Sequence, residues 1–351
     1  MASVYIYPDK SYVKNKNQNP YIKDLVAAFE RKGYRIVCSK TAWLGPVDFF
    51  FQLRTMDLLV CNWVEESVNS KFGYLKGVAL ICVLPLLKPF KVKLVWTVHN
   101  KKSHTNKNIR FTKLLSRLLF RYADLIVAHA KSGTEVFGSD QAKIRYFPHP
   151  FRPAPPAGEA TAGNAAAGEA AAGLYDILIW GRIEPYKGID AFLQYLDANG
   201  LKDRYTIHIQ GECAHPALWE NIKRYAGGRI TVSDTYIDQD ELGRMIHRSK
   251  CILFTHNSQS TLSSGALVES LSFGKTVIGP ALGNFLDFQK DAGIVLTYAD
   301  FGELMPILDR VISTDRPLIP PAAITAFADT YTWDSYIRFL TTNIEKEHPH
   351  P

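Results

Sequence analysis

At 351 residues, with 46% hydrophobic and 21% charged residues, the chain has the size and composition of two globular domains, which excludes a fibrous or disordered class. Its net charge of +7 hides an asymmetry: residues 1–152 hold 25 Lys and Arg against 10 Asp and Glu, and the remainder holds 16 against 24. Only the first half should therefore meet an anionic surface or acceptor, and without a helix-turn-helix, zinc-finger or RRM signature, a phospholipid surface or anionic acceptor is preferred to nucleic acid.

In chain order, Val4–Tyr7 reads as a short strand and Pro20–Lys32 as a helix that Gly33 ends. Tyr34–Cys38, Leu58–Cys61, Lys93–Val98 and Leu125–Ala128 read as buried strands. Between them, Tyr74–Leu87 is strongly apolar but interrupted by Lys76 and Pro85. It is shorter than the roughly 20 apolar residues a bilayer span needs, and fits either a buried helix or a segment at a membrane interface. Lys107–Tyr122 sets Ile109, Leu114, Leu118 and Leu119 among Lys107, Arg110, Lys113, Arg117 and Arg121. Such a basic amphipathic pattern either lies on anionic lipid or forms a surface helix with a solvated face.

Residues 153–173, PAPPAGEATAGNAAAGEAAAG, carry no side chain large enough to anchor a core and read as a flexible connection. The second half then repeats the alternation, with strands at Asp176–Trp180, Tyr205–Gln210, Ile230–Val232, Cys251–Thr255 and Thr276–Gly279. Strand and helix patterns alternating throughout predict an α/β fold on parallel sheets, with domains at 1–152 and 174–330. Five cysteines stand singly at positions 38, 61, 82, 213 and 251, which suits reduced thiols better than a disulfide framework or a zinc site. The N-terminus shows no signal-peptide pattern, so a cytoplasmic location is expected.

Two segments carry chemistry. In WGRIEPYKGID, residues 180–190, Gly181 closes a strand and allows a ligand to approach the backbone, while Arg182 and Lys187 set two cations beside a following helix N-terminus. Two cations and a helix dipole at one crevice suit a diphosphate; two solvated bases on a surface loop are the plainer reading. In STLSSGALVESLSFGKTVI, residues 260–278, a Ser/Gly turn opens a helix, and Ser263, Ser264 and Gly265 would offer backbone N–H groups to phosphate oxygens. Glu269 lies one turn into that apolar helix and needs a partner, either a pair of sugar hydroxyls or a structural ion pair.

Together, GRIEPYKGID and SSGALVESLSFGKTVIGP resemble the donor-site motifs of GT-B glycosyltransferases, especially the retaining family 4. The terminal FADTYTWDSYIRFL is similar to that family's closing helix, so the resemblance covers most of the chain. It implies two Rossmann-like domains with a deep interdomain cleft, and a helix in 331–351 crossing back to the first domain. It implies that Gly181, Arg182 and Lys187 meet the donor diphosphate, that Ser263, Ser264 and Gly265 contribute to phosphate binding, and that Glu269 holds the ribose hydroxyls. TVSDTYI, ending at Ile237, matches the stretch bordering the nucleotide base. The family commonly has a second glutamate eight residues before the first; here that position is Thr261, which marks a subgroup and bears on donor-sugar recognition.

In the first half, VWTVHNKKSH sets His99 and Asn100 at a strand's carboxyl end, where open α/β sheets bind ligands. The resemblance implies a catalytic place for His99 near the donor sugar, with Asn19, Asn100 and His104 on the acceptor side; a satisfied loop histidine is the alternative reading of both His99 and His104. His149 in FPHPF and the pair Glu65–Glu66 read as structural and solvated, respectively. Asp238-Gln-Asp240 fits a metal-binding DxD pattern, but Asp238 with Glu241 before an apolar-spaced helix reads better as a capping box.

The resemblance thus implies transfer of a hexose-type sugar from a UDP- or GDP-sugar, with retention and with neither metal nor cofactor. The acceptor would be lipid-linked or a polysaccharide, in cell-envelope, capsular or exopolysaccharide synthesis. The first domain would contact the inner face of the cell membrane peripherally. Inverting transfer, nucleotide-sugar epimerisation and a non-catalytic scaffold remain as alternatives.

Overall fold

The computed structural model describes residues 2–7, 20–37, 48–64, 73–99, 108–135, 143–152, 175–257, 262–314 and 316–346. The chain divides into two compact units. One is Met1–Pro150 with Ser260–Ser263 and Tyr331–Pro351, and the other is Phe151–Gln259 with Ser264–Thr330. The first boundary falls two residues before the expected one, because Phe151 packs its ring against Phe288 and Phe327 of the second unit. The Ala/Gly/Pro-rich stretch 153–173 lies outside the described residues.

The first unit holds strands β1 (Ser3–Tyr7), β2 (Arg35–Val37), β3 (Leu58–Asn62), β4 (Lys93–Val98), β5 (Leu125–Ala128) and β6 (Ile144–Tyr146) in the order β2-β1-β3-β4-β5-β6. Every pairing is parallel. A parallel sheet is covered on both faces, so its strands are apolar without alternation. Along β1, successive residues supply opposite cores. Tyr5 and Tyr7 join Leu59 and Cys61 beneath the helices Gly73–Leu87 and Ile109–Tyr122, while Val4 and Ile6 join Val60 beneath the helices Tyr21–Arg31 and Trp333–Lys346.

The apolar stretch Tyr74–Leu87, read as either a buried helix or an interfacial segment, lies in one continuous helix, Gly73–Leu87. Pro85 is exposed on its last turn, so the hydrogen bond it removes lies toward solvent. The helix Trp333–Lys346 buries Trp333, Tyr336, Ile337 and Leu340, and ties to the first helix through Asp334 with Arg31 (2.7 Å) and Lys32 (3.4 Å).

The second unit holds β7 (Tyr175–Trp180), β8 (Ile207–Gln210), β9 (Ile230–Ser233), β10 (Ser249–Leu253), β11 (Val277–Pro280) and β12 (Leu296–Tyr298) in the order β12-β11-β10-β7-β8-β9. This sheet is also wholly parallel. It is the doubly wound arrangement in which the first strand sits in the middle and the chain builds outward on both sides.

Candidate donor-binding site

The strand order of the second unit locates a crevice before any side chain is considered. From β7 the chain runs outward through β8 and β9, then returns to β10 on the other flank and continues through β11 and β12. Ligands in such sheets bind outside the carboxyl ends of the strands at this switch point, here β7 and β10. Both motifs singled out in the sequence leave from these two strands.

Gly181 follows β7 directly, with φ of +90°, a conformation that suits glycine. Gly211 follows β8, and a Cβ there would collide with the Gly181 carbonyl oxygen. The two glycines thus let the backbones after β7 and β8 approach closely, and Gly181 N–H donates to the Gln210 carbonyl at 3.1 Å. The chain then makes one 3₁₀ turn, Pro185–Lys187, and enters the helix Ile189–Ala198 through Gly188. That turn is fixed to the end of β10. Thr255 Oγ1 donates to the Lys187 carbonyl at 2.6 Å, Asn257 N–H to the Tyr186 carbonyl at 3.0 Å, and a Cβ at Gly188 would lie 2.7 Å from the Thr255 carbonyl oxygen.

This scaffold folds Lys187 back over the loop. A Cβ at Gly181 would lie 3.2 Å from Lys187 Nζ, so the ammonium sits against the glycine that closes β7. Lys187 is 9% exposed, and its Nζ makes no hydrogen bond or salt bridge to any described residue. Burial lowers its pKa to about 8, with Glu184 opposing the shift and Arg182 adding to it. Arg182 is exposed and likewise makes no hydrogen bond or salt bridge to a described residue. Glu184, the acid within the motif, accepts from His215 Nε2 at 2.9 Å. A buried ammonium without an anionic partner is costly, and an incoming anion offsets that cost.

The second motif opens the helix Gly265–Ser272. Ser264 is its N-cap and accepts from Leu267 N–H at 3.2 Å. The amide of Ser264, expected to face phosphate, instead donates to Asn284 Oδ1 at 3.1 Å, and both residues are buried. Gly265 and Ala266 therefore supply the first-turn amides, reinforced by the helix dipole. Ser263 falls on the first-unit side of the chain division.

Glu269 is half-buried and already has partners. Gln239 Nε2 donates to Glu269 Oε1, and Arg152 Nη1 lies 3.7 Å from the same oxygen. Trp180 at the end of β7 donates to Ser270 Oγ at 2.9 Å, which fixes this helix against the switch point. Ile237, half-buried, precedes the helix Gln239–His247, whose N-cap Asp238 accepts from Glu241 N–H at 2.8 Å. The Glu241 carboxylate accepts from Gln210 at 3.1 Å, so only the Asp238 half of the expected capping box is used.

In the first unit, His99 follows β4, is 5% exposed and stacks on Trp63 with ring centroids 4.2 Å apart. Asn62 Nδ2 donates to the Tyr7 carbonyl, which turns Asn62 Oδ1 toward His99 Nε2 at 3.3 Å. That places the imidazole proton on Nε2 and leaves Nδ1 as the acceptor. His129 stands 5.5 Å from His99, and His149 stands 5.4 Å from His129. Burial, then His129 and His149, holds His99 well below the usual imidazole range, so it is neutral near pH 7. His129 is lowered to about 3; its Nδ1 donates to the Phe147 carbonyl and its Nε2 accepts from Tyr21. Asn19, Asn100, His104, Thr261, Glu65 and Glu66 lie outside the described residues.

Gly211, Asn284, Gln239 and Arg152 lie outside the residues that the sequence motifs assign to the site. Gly211 carries the same signal as Gly181, a glycine at the end of an apolar strand. Asn284 and Arg152 reach the site only through the fold.

No protein-family model matches the sequence, and no curated protein matches it. Solved structures do. HepE of Anabaena in complex with UDP and glucose is 14% identical, with a TM-score of 0.65 over 97% of this chain and 99% of that one. Sucrose-phosphate synthase of Thermosynechococcus elongatus is 14% identical, with a TM-score of 0.69 over 99% of both chains. The catalytic domain of Arabidopsis thaliana starch synthase IV, bound to ADP and acarbose, is 10% identical, with a TM-score of 0.64 over 99% of both. The fold is that of the GT-B glycosyltransferases. In the second unit, Gly181 and the buried Lys187 stand together after β7, and Trp180 at the end of that strand is tied to the helix Gly265–Ser272 through Ser270.

One consequence is open to titration. A diphosphate bound beside Lys187 would favour its ammonium form. Affinity for a nucleoside diphosphate is therefore expected to be flat below pH 8, then to fall by up to about tenfold per pH unit as binding requires proton uptake. Calorimetry between about pH 7 and pH 10, in buffers of different ionisation enthalpy, checks both the slope and the proton; a flat profile overturns the assignment.

Proposed function

We propose that the protein is a glycosyltransferase that takes a sugar from a nucleotide diphosphate donor. The observation that carries this reading is the buried Lys187 ammonium, which forms no salt bridge with a described acid, beside exposed Arg182 at the switch point. The fold adds support, since solved neighbours were found with UDP, UDP-glucose and ADP. Arg182 and Lys187 hold the diphosphate and stabilise the negative charge that grows on it as the glycosidic bond breaks. The first-turn amides of Gly265 and Ala266 bind its oxygens. Glu269 takes the ribose hydroxyls, which replace the contact from Gln239, and Ile237 borders the base. Arg182, Lys187 and the helix N-terminus supply positive charge to the leaving group, a role that needs no metal or further cofactor.

Following the family resemblance, transfer proceeds with retention of anomeric configuration, a donor phosphate oxygen receiving the acceptor's proton. His99 then serves as a neutral hydrogen-bonding group, consistent with its lowered pKa. The acceptor is lipid-linked or a polysaccharide at the inner membrane surface, in envelope, capsular or exopolysaccharide synthesis. The basic first half supports that setting. A UDP- or GDP-hexose is the donor.

The test is calorimetry with UDP, GDP, ADP and their sugars, followed by product analysis. Arg182→Ala is expected to weaken diphosphate binding by about 1.5–3 kcal/mol, the range for a hydrogen bond to a charged group. Because Arg182 is exposed and has no described partner, its removal should leave thermal stability unchanged. Unchanged affinity would remove Arg182 from the site, and failure of every nucleotide to bind would overturn the function.

A further inference from the structure

The first unit carries an exposed apolar surface that its sheet does not explain. Nine large hydrophobic residues are exposed among the described residues, and eight belong to this unit: Phe50, Phe51, Tyr74, Leu75, Val78, Phe90, Ile109 and Leu114. Most stand on three helices that pack on one another, Asp48–Gln52, Gly73–Leu87 and Ile109–Tyr122. The middle helix buries Leu80, Val83, Leu84 and Leu87 in the core. Its outward stripe is also apolar, running through Tyr74, Leu75, Val78, Cys82 and Pro85. A surface helix normally turns polar residues outward, so apolar residues on both sides mean that something covers the outer one. Phe111 of the neighbouring helix packs directly over Gly77, where any Cβ would collide with its ring, and lies 4.6 Å from the Tyr74 ring. This brings the two helices close together.

Charge identifies the cover. From Ser67 to Ala123 the sequence holds 12 Lys and Arg and no Asp or Glu. On the helix Ile109–Tyr122, Arg110, Lys113, Arg117 and Arg121 are exposed together with Ile109 and Leu114. A second copy of this chain seated on the same face would set these cations against one another. An anionic bilayer accepts both parts, taking the apolar side chains below its headgroups and the cations among the phosphates. No described helix is long and apolar enough to cross a membrane, so the face would lie on the bilayer.

We propose that the adjoining helices Gly73–Leu87 and Ile109–Tyr122 form a docking face for anionic phospholipid, with Tyr74, Leu75, Val78, Ile109 and Leu114 entering the interface. The proposal rests on the membrane setting read above but not on the transfer chemistry. The test is flotation of the full chain with phosphatidylcholine vesicles containing phosphatidylglycerol, against phosphatidylcholine alone, at low and high salt. The wild type is expected to float only with the anionic vesicles.

Leu75→Asp with Val78→Asp should lower the partition coefficient at least tenfold. Arg110→Gln with Lys113→Gln and Arg117→Gln should lower it by about a hundredfold and flatten the salt dependence. All five positions are exposed, and circular dichroism checks the fold. Wild type that ignores phosphatidylglycerol, or an Leu75→Asp/Val78→Asp variant that floats like wild type, overturns the proposal. So does sedimentation showing a wild-type dimer that the same variant dissociates, with no vesicle binding. Binding of nucleoside diphosphates by these variants separates the two readings. Retained nucleotide binding with no flotation removes the lipid face alone, and flotation without nucleotide binding removes the donor assignment alone.

Discussion

Lys187→Met is expected to raise the thermal stability of the ligand-free protein while abolishing its affinity for nucleoside diphosphates. Lys187 has an ordinary pKa of 10.5 in the unfolded chain and about 8 in its buried place beside Gly181. Between these values the unfolded chain binds the extra proton, so stability rises with pH across that window and is lower by a constant amount below it. At pH 7 that amount is about 3 kcal/mol for a shift of this size. Methionine has similar length and no charge, so the ligand-free protein should gain about 1–3 kcal/mol, or several degrees in the second unit's transition. Addition of a nucleoside diphosphate should reverse the order, because mass action stabilises only the protein that binds it. Scanning calorimetry of both proteins with and without UDP checks this. A lower transition temperature for ligand-free Lys187→Met would show that the ammonium has a structural partner.

Gly211→Ala should do the opposite. A methyl at this position meets the Gly181 carbonyl oxygen, a backbone atom in a segment held by the Gly181 and Ile183 N–H groups to Gln210 and Glu212, which cannot turn aside as a side chain could. Relief requires the segments after β7 and β8 to separate, at about 1–3 kcal/mol for overpacking of this kind. The displaced segment begins the loop of Arg182 and Lys187, so nucleotide affinity should fall along with stability, by tenfold or more. Denaturant unfolding and calorimetry measure the two losses. A variant with wild-type affinity would mean that the loop is positioned by Thr255 and Asn257 alone.

Most of the architecture was legible because buried parallel strands advertise themselves as apolar runs. The strands missed, Ile144–Tyr146 and Leu296–Tyr298, have three residues each and sit at sheet edges. A run so short carries no usable period, and an edge strand is specified by its neighbour as much as by its own residues. Gly181, Arg182 and Lys187 stood out because a phosphate site would confine glycine and base to one turn, and Glu269 because it is an acid on an apolar helix. Their supports did not. Asn284 takes the Ser264 amide across 20 residues, and Arg152 reaches Glu269 from beyond the linker. A helix N-terminus leaves its amides unfilled, which points Ser264 to phosphate, but the buried side-chain amide of Asn284 from a later helix takes this one. The apolar stretch Tyr74–Leu87 stayed ambiguous for another reason: its residues are alike all round, and only the sheet beneath shows which side is spare.

The helix Trp333–Lys346 also sets a timetable. It supplies Trp333, Tyr336, Ile337 and Leu340 to the core under β1, β3 and β5, although nearly all the rest of that unit has been synthesised by Pro150. A nascent chain that has reached Pro150 therefore carries a sheet with one face incompletely covered. That face stays open while the whole of the second unit, through Thr330, is made. The later unit in sequence can finish folding first, and the earlier one closes only when residue 346 has emerged. Biogenesis thus runs opposite to the order of the sequence, and the first unit cut off at its apparent end would keep an apolar face that its own residues cannot cover.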